Sequence, residues 1–201
     1  MKILTKKDIE ICAEILRNDG VIAFPTETVY GLGIKATSKE NYDKLVKIKN
    51  RPSDKPFTLM CSSVDDFKNI VEINEWTRKI IEKFMPGPIT LILKVKTEVP
   101  EYIDLGTGFV GVRIPDDDFV RNMIKKVGAP LLVPSANISS FPPAKTYQEV
   151  IRYFHDNLDA VVKGKCESNV PSAIFKIYDE NIIQIRPGEI KLSELVEVVK
   201  W

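Results

Sequence analysis

Four cations fall within the nine residues Lys47-Ile48-Lys49-Asn50-Arg51-Pro52-Ser53-Asp54-Lys55. An arginine can grip phosphate oxygens with two parallel N–H groups, and a lysine adds a mobile point charge. At a strand edge, such a loop suits a triphosphate. The same charges also fit a plainer role, since cations are favourable against the dipole at a helix C-terminus. Val133-Pro134-Ser135-Ala136-Asn137 follows a short apolar run. Small polar side chains and free backbone N–H groups at strand ends bind ligands in open α/β sheets, although a simple Ser/Asn turn has this composition too. In Pro25-Thr26-Glu27-Thr28-Val29-Tyr30-Gly31-Leu32-Gly33 the two glycines suggest close backbone approach to another group. Arg113 ends a strand-like run and Arg186 precedes Pro187-Gly188; either alone could be a surface arginine.

Other chemistries lack their residues. The single histidine, His155, lies at the tail of a predicted helix, so a Ser-His-Asp or Cys-His mechanism would rest on it without a supporting motif. Cys12, Cys61 and Cys166 are odd in number, widely spaced and without a C-x-x-C pair, which argues against a disulfide framework or a zinc site. Gly106 to Gly111 matches G-x-G-x-x-G, but these glycines precede a strand rather than open a helix, so they are no dinucleotide turn.

The elements that must carry these residues can be read from local signals. Thr5 with Asp8 resembles an N-cap arrangement before a helix bearing Ile9, Cys12, Ala13 and Leu16. Ser38 caps a helix that Pro52 ends. Further helices are predicted at Ser63 with Asp66, at Asn74, around Phe119 to Val127, after Thr146 with Glu149, and after Gly188. VIAF, FTLM, ITLILKV, VGVRI, LLV, AVV, SAIFKIY and IIQIR read as strands, the last two as a hairpin turning at Asp179-Glu180-Asn181. Interspersed strands and helices with uneven spacing predict an α/β fold built on a twisted, open, mixed sheet with helices on its faces.

The 201 residues suit one domain over 1–201, with 44% hydrophobic and 28% charged residues. Lys plus Arg total 29 against 28 for Asp plus Glu, a net charge of +1, so phosphate chemistry must come from a local cluster rather than a basic coat. The N-terminus lacks the apolar core of a signal peptide and no run approaches the ~20 apolar residues of a membrane span. The expectation is a cytoplasmic protein with no membrane contact.

In order, the chain shows FPTETVYGLG, KIKNRPSDKPF, MPGPITLIL, VGVRIP, PLLVPSAN, VPSAI and IRPG. Over about residues 5–188 it resembles the YrdC-type domain of the threonylcarbamoyl-AMP synthases, whose K-x-R and S-x-N pairs correspond to Lys49/Arg51 and Ser135/Asn137. The resemblance implies a sheet around a basic cavity. It implies a nucleotidyltransferase that condenses L-threonine, bicarbonate or CO2 and ATP to threonylcarbamoyl-AMP and pyrophosphate, for threonylcarbamoyladenosine in tRNA. It puts Thr28, Met60, Arg113, Val133 and Ser172 around L-threonine. Around ATP it puts Lys49, Arg51, Lys55, Phe109, Ser135, Asn137, Pro143 and Arg186, with Lys49 and Arg51 as the catalytic cations. Mg2+ would be carried by the ATP phosphates, with no metal ligand from protein side chains. Separate tRNA threonylcarbamoyl-transferase proteins would take the product, and a weak RNA contact belongs to the same expectation. The competing readings are an RNA-binding module and a carbamoyl-adenylate-forming domain of the hydrogenase-maturation type.

Replacing Lys49 or Arg51 by alanine is expected to leave the chain folded while lowering pyrophosphate release dependent on threonine and bicarbonate. The loss should be at least ~100-fold, the scale of removing one preorganised oxyanion donor. Wild-type rates in either variant would remove these cations from the mechanism.

Overall fold

The computed structural model describes residues 1–50, 56–166, 168 and 170–200. Ten strands form a single mixed sheet: β1 (Lys2–Leu4), β2 (Ile22–Phe24), β3 (Gly31–Lys35), β4 (Leu59–Met60), β5 (Ile89–Lys94), β6 (Phe109–Arg113), β7 (Leu131–Leu132), β8 (Ala160–Val162), β9 (Ala173–Tyr178) and β10 (Asn181–Arg186). Their spatial order is β1-β8-β2-β3-β7-β4-β6-β5-β9-β10. β1/β8, β2/β8, β4/β6 and β5/β9 run parallel, and the other neighbours antiparallel. The helices are α1 (Ile9–Arg17), α2 (Lys39–Lys49), α3 (Glu75–Phe84), α4 (Glu101–Asp104), α5 (Asp118–Val127), α6 (Tyr147–Phe154) and α7 (Leu192–Lys200).

Strand side chains alternate between the two faces of a sheet, and here each set meets its own helices. Ile22, Phe24, Met60, Leu131 and Val133 join Cys12, Ala13 and Leu16 of α1 and Phe119, Val120, Met123 and Ile124 of α5 in one core. Their chain neighbours Val21, Ala23, Leu59 and Leu132 join a second core with residues of α2, α3, α6 and α7. Helices thus cover both faces, as the mixed pattern in the sequence requires.

The starts of α2, α3 and α6 follow side-chain capping, whereas Asp8 before α1 makes no side-chain cap hydrogen bond and instead accepts from Thr5. The hydroxyl of Ser38 accepts from the backbone N–H of Asn41, the amide oxygen of Asn74 from Thr77, and Thr146 from Glu149. The helix expected at Ser63 is instead one 3-10 turn, Val64–Asp66. The Asp66 carboxylate there accepts from the N–H and hydroxyl of Ser62 and from the Ser63 N–H, and Phe67, fully buried in the second core, leaves helical geometry directly afterwards. The hairpin turns on Asp179 and Glu180, while Asn181 already pairs with Tyr178.

The two glycines of the PTETVYGLG segment lie at the start of β3, and the group they approach is the protein itself. A Cβ on Gly31 would come 2.5 Å from Cγ1 of Val133, and one on Gly33 would come 2.5 Å from Cε1 of Phe24. With Phe24 fully buried, Gly33→Ala is expected to lower stability by about 1–3 kcal/mol through overpacking. Urea unfolding checks this, and an unchanged midpoint would mean that Phe24 can turn aside at no cost.

Candidate functional site

Several strand ends meet at one place in the sheet, and the candidate residues arrive there by register. Met60 of β4 pairs with Arg113 of β6, and Thr90 lies one residue from Leu91, which pairs with Val112. Ile89 of β5 pairs with Ala173, which puts Ser172 at the same end. Past β7, the chain bridges from Ser135 to Gly31 of β3. Ala136 donates its N–H to the Tyr30 carbonyl, and Val133 donates to Thr58. Ligand sites in open α/β sheets form in such crevices.

A cavity of about 150 Å3 opens here, lined among others by Thr26, Met60, Thr90, Arg113, Val133, Ser135, Ser172 and Arg186. A second hollow of about 320 Å3 includes Phe109, Thr107 and Lys176 and shares Pro56, Phe57, Thr58, Thr90 and Ile174 with the first. No carboxylate lines either one among the described residues. Arg113 and Arg186 therefore dominate the electrostatics of the first, and Lys176, its ammonium 3.5 Å from the Phe109 ring centre, those of the second.

Both arginines are held by oxygens of the chain. Arg186 donates from Nε (3.0 Å) and Nη2 (2.8 Å) to the Ser172 carbonyl and from Nη2 to the Ser172 hydroxyl (3.1 Å). The Thr90 and Ser172 hydroxyls lie 3.0 Å apart, which ties the arginine to β5. Burial, and after it the charge of Arg113, pulls the Arg186 guanidinium below the ordinary arginine range. Arg113 donates from Nη2 to Oε1 of Glu27 (2.7 Å) and to the Thr28 hydroxyl (2.9 Å). Thr26 shapes that turn: its hydroxyl donates to the Val29 carbonyl at 2.8 Å and accepts from the Thr28 N–H.

Lys49 is only 1% exposed and lies behind the cavity wall rather than in it. Its ammonium donates to the carbonyls of Ser135 (2.5 Å) and Asn137 (2.6 Å) and to Oδ1 of Asn137 (3.2 Å). The Ser135 hydroxyl donates to the same Oδ1 at 2.6 Å. The lysine at the end of α2 thus braces the S-x-N turn, joining the first residue of one motif pair to the other pair.

The structure brings Met60, Arg113, Val133, Ser135, Ser172 and Arg186 onto the first cavity, and Phe109 onto the second. Thr28 is fully buried under Arg113, Asn137 belongs to the turn braced by Lys49, and neither they nor Pro143 line either of these two hollows. Arg51 and Lys55 lie outside the described residues. Sequence reasoning missed Glu27, Thr90 and Lys176. For Glu27 the available signal was a single acid among small polar residues beyond a buried strand; for Thr90 it was a hydroxyl opening an otherwise apolar strand.

Thiol chemistry has no place in the site. Burial pushes the Cys12 and Cys166 thiols up to about 11 and Cys61 well above its ordinary value. In the Gly106 to Gly111 segment, the Asp104 carboxylate accepts from the N–H groups of Gly106 and Gly108, so these amides are occupied by the chain itself. His155 is exposed, at the end of α6. Among the described residues no three His, Cys, Asp or Glu side chains cluster to hold a metal, and no helix is long and apolar enough to cross a membrane.

The burial of Lys49 changes what its removal should do. Lys49→Met removes a charged donor from three oxygens; Asn137 Oδ1 keeps the Ser135 hydroxyl and the Ser135 carbonyl keeps the Asn137 N–H, so the Asn137 carbonyl is the group left unsatisfied among the described residues, at a cost on the order of 1–3 kcal/mol. A clearly lowered unfolding midpoint is expected, in contrast to the intact fold expected from sequence. An unchanged midpoint would show that the turn does not depend on the lysine.

Residues 14–188 match the Sua5/YciO/YrdC family model, described as telomere recombination. A Methanocaldococcus jannaschii relative, whose name as a threonylcarbamoyl-AMP synthase is provisional, is 33% identical over 191 residues, covering 94% of this chain and 90% of its own. The Pyrococcus abyssi threonylcarbamoyl-AMP synthase is 31% identical over 193 residues, and the chain spans 57% of that relative's length. The structure of P. abyssi Sua5 complexed with L-threonine matches with a TM-score of 0.93 at 29% identity, covering 99% of this chain and 61% of that one. With the matched family region enclosing every strand from β2 to β10 and all the cations described above, the chain belongs to the Sua5/YciO/YrdC family.

Proposed function

We propose that this chain is an L-threonylcarbamoyladenylate synthase, a nucleotidyltransferase that joins L-threonine, bicarbonate or CO2 and ATP with release of pyrophosphate. The observation that carries the reading is the convergence of Arg113 and Arg186 with the hydroxyls of Thr26, Thr90 and Ser172 on one cavity that no carboxylate lines among the described residues. Relatives named threonylcarbamoyl-AMP synthase, and a related structure holding L-threonine, support the same assignment.

The chemistry explains the demand for such a site. The threonine amine attacks CO2 to form a carbamate, and a carbamate oxygen then displaces pyrophosphate from the α-phosphorus of ATP. Both steps bring anions together, so alignment and charge neutralisation carry most of the catalysis. Arg113 would pair with the amino acid carboxylate, while Ser172 and Thr90 offer hydroxyls to its side chain. Arg186, on the same cavity, would neutralise charge on carbamate or phosphate. Lys49 would act by holding the Ser135 to Asn137 turn, which borders the cavity at Ser135. Arg51 and Lys55 remain the expected triphosphate clamp, and Mg2+ would be carried by the phosphates. With no carboxylate lining the cavity among the described residues, the amine proton would pass to solvent or substrate. The product would go to separate proteins that place the threonylcarbamoyl group on tRNA.

The test is to incubate the purified chain with ATP, bicarbonate and each amino acid in turn, followed by mass spectrometry. An adenylate formed with threonine above all others is expected. An adenylate formed only when carbamoyl phosphate replaces threonine and bicarbonate would instead make this a carbamoyl-adenylate-forming enzyme. Tight RNA binding without ATP turnover would overturn the enzyme reading.

A further inference from the structure

We infer that Glu27 is a positioning residue for the amino acid subsite, holding the Arg113 guanidinium ready for a substrate carboxylate without itself touching the ligand. This rests on the proposed function for the identity of the ligand, while the placement of Glu27 is a property of the fold.

The pair is asymmetric, with a buried arginine and a glutamate side chain that stays 17% exposed. Arg113 is 6% exposed and lines the cavity, whereas Glu27 does not line it. One oxygen of Glu27, Oε1, accepts both from Nη2 of Arg113 and from the backbone N–H of Asp116 at 3.1 Å. The carboxylate therefore fastens the arginine to the chain just beyond its own strand. Oε2 of Glu27 and Nε of Arg113 are both buried without a hydrogen-bond partner among the described residues. A two-pronged fork between the groups would have satisfied both atoms. The single-pronged contact fixes the guanidinium through one nitrogen and leaves its remaining donors outside the ion pair.

Charge gives the contact its function. Arg113 and Arg186 face one small cavity and repel one another, and a guanidinium so placed would swing away or draw in a solution anion. The Glu27 carboxylate offsets the positive charge of Arg113 from the side away from the ligand. The arginine then stays in position before any substrate arrives, which is the preorganised state that binding favours. The Thr28 hydroxyl supports the same Nη2, so Glu27 and Thr28 form one short brace from a single turn.

Calorimetric titration of L-threonine and of ATP, separately, into wild type, Glu27→Ala, Glu27→Gln, Arg113→Ala and the double alanine variant tests this. Loss of a hydrogen bond to a charged group predicts threonine binding ~10- to 100-fold weaker in Glu27→Ala, with ATP affinity within ~2-fold of wild type. Glu27→Gln keeps an acceptor oxygen and is expected to lose less, and it serves as the readout should Glu27→Ala fail to fold. In the Arg113→Ala background, Glu27→Ala is expected to change threonine affinity no further, because the two act as a unit. Wild-type threonine affinity in both Glu27 variants would overturn the inference, as would an equal loss of ATP affinity or an undiminished effect without Arg113. If the wild-type protein itself binds no threonine, the proposed function falls and the inference with it.

Discussion

Positive charge held out of water governs this molecule. Moving an ion from water into a protein costs several kcal/mol even after relaxation, so each buried cation needs fixed oxygens around it before any ligand arrives. Lys49 has the oxygens of Ser135 and Asn137, Arg113 has Glu27 and Thr28, and Arg186 has the carbonyl and hydroxyl of Ser172. The turns at these positions are shaped around the cations, and their polar groups have little freedom to rearrange. A site of this kind presents a preset positive field where charge must develop in a reaction, without reorganising its own dipoles.

The sheet supplies what no local segment could. Arg113 and Glu27 are 86 positions apart, and Lys49 and Ser135 are separated by the same distance along the chain. Central strands of mixed direction bring their ends to a common border, with Met60 beside Arg113 and Ser135 bridged to Gly31. Lys49 and Arg113 make their contacts there out of water, at 1% and 6% exposure, where a hydrogen bond is electrostatically stronger. Stability and chemistry draw on the same contacts, which is why the loss of Lys49 is expected to register in both.

Much of this was readable from sequence where the signal is local. Ser38, Asn74 and Thr146 announce helix starts because a cap acts over three residues, and the long apolar runs at β5, β9 and β10 declare strands by themselves. The short β1 went unrecognised because Lys2–Leu4 becomes a strand only by pairing with β8. The glycines of β3 advertised close approach, but only coordinates reveal that Phe24 and Val133 are what they approach. For the site, the arginines taken singly read as surface residues, and the K-x-R and S-x-N pairs stood out only through the resemblance of the ordered motifs. Their division of labour did not, because burial turned Lys49 into a brace, and the part played by Glu27 exists only in the presence of a distant arginine.

The strip of wall common to the two hollows, Thr58, Thr90 and Ile174 among it, has a kinetic meaning. Carbamates of amino acids decompose readily on exposure to bulk solvent. Under the proposed function, a carbamate formed at one hollow would lie only a few side chains from the other, so a fragile adduct would need to survive only a molecular-scale transit. Its lifetime can then be short without lowering the yield.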